Sequence, residues 1–179
     1  ALIDQELVKI LKDRDGAIVI TLSAAEPLAK MPVEQSPYGE IGQINSKIVL
    51  EGMISGAKTA VANDIKVGLG TDAGSTLVTH YNFWRELPLF VKYCRVKPSF
   101  ALYSATLGNA IIAGISDETG SIEVGKSADL LVVNENPLEN DFKTLANPYM
   151  VMIKGNLIKK PKIKKINSVE KIVPKLMGF

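Results

Sequence analysis

Val67-Gly68-Leu69-Gly70-Thr71-Asp72-Ala73-Gly74-Ser75 is the stretch on which the fold turns. An apolar run from Ile65 to Leu69 stops abruptly at small and polar residues, and Ala62-Asn63-Asp64 stands before it as a turn signal. The pattern predicts a short buried strand with an acid, Asp72, at its carboxyl end. Gly74 lets the chain turn away, because it has no Cβ to clash at positive φ. In barrels of parallel strands the carboxyl ends carry the chemistry, so Asp72 is a candidate catalytic residue. Thr71-Asp72-Ala73-Gly74 is equally a plain strand-ending turn, since Asp and Gly favour turns on their own account. Residue types alone leave both readings open.

Composition narrows the field. At 179 residues the chain is long enough for one ordinary domain or slightly more, and 46% hydrophobic residues suit a packed core. A formal charge of +2 gives no global pull toward nucleic acid or membrane. No uninterrupted apolar stretch has the length of a membrane span. The opening Ala1-Leu2-Ile3-Asp4-Gln5-Glu6 has acids where a signal peptide would be basic, so no leader is expected. The lone Cys94 makes no internal disulfide and suits a reducing cytoplasm. The chain starts without Met and holds a single histidine, His80.

Upstream of the central stretch, Asp4 reads as a cap for a helix whose apolar stripe is Leu7, Val8, Ile10 and Leu11, closed by Gly16. Ala17 to Leu22 is continuously apolar and predicts a buried strand of a parallel sheet, with Thr21 and Ser23 at its carboxyl end. From Ala24 to Gln43 there is no period, and Pro27, Pro32, Pro37, Gly39 and Gly42 punctuate it. This predicts a long loop, either an active-site lid or a segment without a role. Asn45 is expected to cap a helix with Val49, Met53, Ala57, Ala60 and Val61 on its apolar face. Strand, loop, helix and strand then make a βαβ unit.

Downstream, Ser75 to Tyr81 reads as a loop that holds His80. Phe83 to Tyr93 has helical spacing interrupted by Pro88, and Pro98 opens a clearer helix ended by Gly114. After Gly114 short β-like runs take over: Ser121 to Val124, Leu130 to Val133, Tyr149 to Ile153 and Leu157-Ile158, with Gly155-Asn156 as a hairpin signal. Lys159 to Lys165 is a basic run without interleaved aromatics, which fits a solvated tail better than a nucleic-acid contact. Ser168 to Met177 is a candidate terminal helix despite Pro174.

Four motifs in order carry a resemblance. Gly68-Leu69-Gly70-Thr71-Asp72-Ala73-Gly74 resembles the last-strand motif of the metal-dependent amidohydrolases. Ala105-Thr106-Leu107-Gly108-Asn109-Ala110 is similar to the helix that follows in that superfamily. Gly120 to Leu130 resembles its return to a β domain, and Asn136-Pro137-Leu138 with Val151 to Gly155 resembles its closing pattern. The nearest branch looks like the imidazolonepropionase and Xaa-Pro dipeptidase relatives. The resemblance implies an α/β fold: the C-terminal part of a TIM-like (β/α)8 barrel, its last two strands and helices, over 1–116. Part of a small β-sandwich follows over 117–158, and a basic tail over 159–179.

It also implies a hydrolase of C–N bonds, acting on an amide, a cyclic amide or a dipeptide, with one or two divalent metals such as zinc. Asp72 would bind metal in the intact enzyme and move a proton to the leaving nitrogen. His80, Thr71, Ser75 and Arg85 are candidate substrate-binding residues. His80 also reads as a surface loop residue, and Arg85 as a partner of Glu86 or another local acid. Asn109 and Asp129 read as caps and turns. The His-x-His and later histidines of the family have no counterpart here, so this chain is expected to be a C-terminal portion, inactive alone, without tightly bound metal and prone to self-association. A non-catalytic interaction domain, or a subunit that completes a barrel with another chain, are the competing readings.

Overall fold

A computed structural model of the chain describes residues 3–178. Helix α1 (Gln5–Asp13) is capped by Asp4, whose side chain accepts from the Leu7 amide at 2.8 Å. Strands β1 (Ala17–Ile20) and β2 (Lys66–Leu69) pair in parallel, Ile18 opposite Val67 and Ile20 opposite Leu69. Both strands are where the apolar runs place them, shorter by one or two residues.

The segment between them differs from the sequence reading. Ala24 to Gln43 is not one long loop. Helix α2 (Leu22–Lys30) starts directly off β1, a 3-10 turn covers Val33–Gln35, and α3 runs from Gly39 to Ala62. Pro27 lies inside α2, and its N-terminal residue Thr21 makes no side-chain cap. Local sequence therefore argues against this helix, and tertiary contacts override it. Asn45 lies within α3 rather than at its cap. Of the expected α3 face, Ala57 and Ala60 are fully buried, while Val49 is about half exposed; Leu50, outside that face, is buried.

After the Asp72 loop come a 3-10 turn (His80–Arg85), α4 (Glu86–Cys94) with Pro88 in its first turn, and α5 (Pro98–Tyr103). A π-helical stretch, Ser104–Gly108, joins α5 to α6 (Asn109–Ile112). The Asn109 amide is neither a cap nor a turn residue. Its Oδ1 accepts the Leu69 N–H at 3.0 Å, and its Nδ2 donates to the Leu69 carbonyl at 2.9 Å, on the edge of β2 that β1 leaves free. Gly68 makes this approach possible: a Cβ there would overlap Asn109 Oδ1.

The second part is a three-stranded antiparallel sheet in the order β3 (Leu130–Val132), β4 (Met150–Ile153), β5 (Asn156–Lys159). The run Ser121 to Val124 is not a strand, and its apolar side chains Ile122 and Val124 are exposed. The hairpin turn is Lys154-Gly155, one residue earlier than expected, with φ of 48° and 79°. Asp129 fixes that offset by accepting the Lys154 N–H at 2.7 Å. The Lys162 to Lys165 run is exposed. Beyond it, α7 (Asn167–Met177) buries Val169, Val173 and Met177 in the main core, so the stretch after the basic run is packed. Among the described residues no helix is long and apolar enough to cross a membrane.

Gly68→Ala and Asn109→Ala should each destabilise the chain by about 1–3 kcal/mol, one by overpacking and one by orphaning the Leu69 polar groups. The two effects should be less than additive, because Asn109→Ala removes the atom that the new methyl at position 68 would strike. Urea midpoints of the two single variants and the double variant check this.

Candidate active site

Asp72 stands where the parallel pair runs out. The Gly70 N–H donates to the Ile20 carbonyl at 2.8 Å, just past the end of β2. Further along, Asp72 adopts φ +56°, left-handed backbone that Asp tolerates better than most side chains. The Ser75 N–H donates to the Asp72 carbonyl at 3.1 Å, and Ser75 Oγ donates to Asp72 Oδ2 at 2.9 Å. Gly74, at φ +110°, completes the turn. The acid and the turn are thus one feature: the turn presents an exposed carboxylate with one oxygen held.

That carboxylate borders an open cavity of about 480 Å³. Ala24, Ala25 and Leu28 of α2 form one wall, and Asn45, Ser46, Val49 and Met53 of α3 form another. Tyr38 and Thr76 close the rim through a 2.6 Å hydrogen bond between their hydroxyls, tying the segment before α3 to the Asp72 loop. A half-apolar recess with a carboxylate, an amide and hydroxyls at its mouth can orient an uncharged organic group beside a proton acceptor. Tyr38, Asn45, Ser46 and Thr76 are not legible as site residues in the sequence. They lie on segments that read as loops and a helix cap, and only the packing of α2 on α3 brings them to Asp72.

The other sequence candidates disperse. Ser75 is at the site through its bond to Asp72. Thr71 is half-buried and outside the cavity lining. His80 is exposed and borders a separate cleft of about 400 Å³ with Thr79, Lys164 and Ile166; Gly74 and Ser75 line both spaces. Arg85 is buried and turned away. Its Nη2 lies 3.2 Å from Glu170 Oε2 of α7, and Asn82 Nδ2 donates to the same carboxylate at 2.9 Å. Its partner is therefore a distant acid, not Glu86. Burial pulls the guanidinium below its ordinary pKa, and Glu170 works against that shift.

Glu86 has a different task. It is fully buried at the start of α4 and accepts the Leu22 N–H at 2.6 Å on Oε1 and the Ser23 N–H at 2.8 Å on Oε2. It supplies the cap that Thr21 does not. Burial raises its carboxyl to about 7, against the two amide bonds that favour the ionised form, and nearby Glu26 adds to the rise. Nothing in Arg85-Glu86-Leu87-Pro88 signals this reach across 64 residues, since an acid in a first helical turn is ordinary.

Among the described residues no three His, Cys, Asp or Glu side chains gather to hold a metal. Asp72 offers one carboxylate, and His80 faces the other cleft. The donor set of this chain by itself does not fit a bound transition metal, which takes three or four such ligands.

Comparison with known proteins identifies the family. Residues 17–158 match the amidohydrolase family. An imidazolonepropionase from Picrophilus torridus is 34% identical over 96 residues, which is 54% of this chain and 23% of that protein. A candidate prolidase from Bifidobacterium longum superposes with a TM-score of 0.93 at 38% identity, over 98% of this chain and 44% of that one. A Xaa-Pro dipeptidase crystallised with methionine in its active site gives 0.75 at 30% identity, over 87% of this chain and 37% of that one. The chain thus spans less than half of the relatives it matches.

Because Glu86 ionises near 4.5 ordinarily and near 7 when folded, its neutral form contributes stability that is full below pH 4.5 and is lost as pH rises through 7. The expected loss is about 3 kcal/mol. The difference in unfolding free energy between wild type and Glu86→Gln, measured by urea titration from pH 5 to 8, should follow that slope. Glu170→Gln should cost about 1–3 kcal/mol at all these values, because it strips a buried guanidinium of its charged partner.

Proposed function

This chain belongs to the amidohydrolase family, and from that premise we propose that it forms the closing portion of a metal-dependent hydrolase of C–N bonds. Asp72 is its proton-handling carboxylate and, in the intact enzyme, one metal ligand. The observation that carries the reading is Asp72 itself: an acid at the carboxyl end of a parallel strand, anchored by Ser75, with a recess of about 480 Å³ beside it. The metal, when bound, supplies an activated water near neutrality. Since this chain provides a single ligand, the histidines come from further sequence.

In that enzyme the chain's own residues divide the work. Asp72 would accept the proton of the attacking water and return it to the leaving nitrogen. Ser75 keeps one Asp72 oxygen engaged, so the other faces the substrate. The α2 and α3 wall receives an uncharged part of the substrate, an amide, cyclic amide or dipeptide side chain. His80 serves a neighbouring part of the substrate from the adjoining cleft, and Thr71 sets the backbone before the acid. Arg85 acts through α7 rather than on substrate.

The proposed division is a barrel portion over 1–116, with β1 and β2 as the last two strands, and part of a composite β domain over 117–158. Several features support it. Val19 of β1 is 54% exposed, and Leu131, Val132, Ile153 and Leu157 of the small sheet are all substantially exposed. A further recess of about 690 Å³ lies between α5–α6 and β3, lined by Leu102, Leu131 and Leu145. These surfaces match what additional strands would cover. The chain's single histidine keeps a second reading in view, a subunit that completes a barrel with a separate chain bearing the ligands. The partly buried lone Cys94 suits a reducing compartment such as the cytoplasm.

Three measurements test this reading. The isolated chain should hold no stoichiometric zinc and turn over neither Xaa-Pro dipeptides nor cyclic amides; tight zinc together with turnover overturns it. In the protein that carries the histidines, Asp72→Asn should lower kcat by on the order of 10²–10⁴-fold with the fold retained. Sedimentation of the isolated chain should show concentration-dependent association, driven by the uncovered strand edge and apolar faces.

A further inference from the structure

The two loops that frame the Asp72 cavity belong to different strands. One leads from β1 into α2, the other from β2 through Asp72 to α4. A buried carboxylate spans them: Glu86, whose two oxygens take the first two free amides of α2. Further along α2, Ala25 faces the cavity, flanked by Ala24 and Leu28. Pro27 inside it and the missing local cap weaken α2 as a support for that wall.

We propose that Glu86 is a positioning residue for the Asp72 cavity: by gripping the Leu22 and Ser23 amides from the start of α4, it fixes the α2 wall opposite Asp72. This rests on the reading of Asp72 as the working acid, which alone makes that wall a substrate wall. The grip depends on charge. An ionised carboxylate accepts both amides, whereas a protonated one commits an oxygen to its own hydrogen. Burial brings that exchange to about pH 7. The groups around Glu86 are few. Glu26 of α2 repels it, but Glu26 is itself held by Lys30 at 2.6 Å, Lys92 at 3.3 Å and the Tyr93 hydroxyl at 2.5 Å. Cys94 of α4 is a neighbouring thiol pushed up to about 11 by burial, with Lys58 of α3 opposing that rise.

Amide-resolved NMR of the full chain tests this. In wild type from pH 5.5 to 8.5, the Leu22 and Ser23 amides should move downfield along one curve, and Ala24, Ala25 and Leu28 should follow with the same midpoint. In Glu86→Gln that curve should vanish. Exchange at Leu22 and Ser23 should speed up by on the order of tenfold or more, while core amides such as Ala60 and Phe90 keep their protection. Flat Leu22 and Ser23 amides in wild type overturn the proposal, as does a curve that persists in Glu86→Gln and so belongs to another group. Loss of protection throughout the core would make Glu86 a general stability residue and also overturn it. If Glu86→Gln does not fold, Glu86→Asp takes its place, and the shared midpoint of Leu22, Ser23, Ala25 and Leu28 should move; an unmoved midpoint overturns the proposal. Asp72→Asn should leave these curves unchanged, so failure of the catalytic reading and failure of this one remain separate results.

Discussion

One side-chain amide and one missing methyl group hold the site in place. Leu69 is the last residue of β2, and its N–H and carbonyl point away from β1. In an open sheet those groups would face water or a further strand. Here Asn109 meets both, as a neighbouring strand would, and it can do so only because residue 68 has no Cβ. Asp72 follows closely in sequence. The backbone that carries the candidate acid is therefore pinned on one side by strand pairing to Ile20 and on the other by a helix 40 residues downstream. The π-helical stretch just before Asn109 changes which side chains face β2 at that point, a use typical of such insertions near functional sites.

The same economy recurs with charges. Three buried or half-buried acids join segments far apart in sequence: Glu86 joins α4 to α2, Glu26 joins α2 to Lys92 and Tyr93 of α4, and Glu170 joins α7 to Arg85 and Asn82. Each acid meets more than one donor, although on Glu26 every donor reaches Oε1 and Oε2 stays buried without a hydrogen-bond partner. Together they fasten α2, α4 and α7 around the two strand ends. The apolar residues beneath, Leu22, Leu87, Leu89 and Phe90, supply the area. The ionic contacts select which faces meet.

This division explains what the sequence discloses. The strands, the Asp72 turn, the Asp4 cap and the Gly114 stop depend on neighbours within a few residues, and their signals are local. The order of motifs around Gly68 and Asn109 reveals the family, because it reports a shared arrangement rather than one contact. Helix α2 is hidden, since Pro27 and an uncapped Thr21 argue against it and its cap comes from Glu86. Arg85 escapes a local reading for the same reason: its partner lies on a helix 85 residues away. The hairpin slips by one residue because Asp129, not the Gly-Asn pair, chooses the turn. The run Ser121 to Val124 alternates like a strand but pairs with none among the described residues.

Asp72 draws its meaning from both levels. Its turn is a local product of Ser75 and Gly74, and any strand could end so. What distinguishes it is the wall across the recess, which no local signal builds. That wall consists of apolar residues on a helix interrupted by Pro27 and without a local cap, kept in register by the Glu86 carboxylate. A stiffer wall would need a helix without Pro27 and with a cap at Thr21, and its position would then no longer depend on the loop that bears Asp72. Linking the two loops through Glu86 makes the acid and the opposite wall one mechanical unit, so a displacement of either is transmitted to the other.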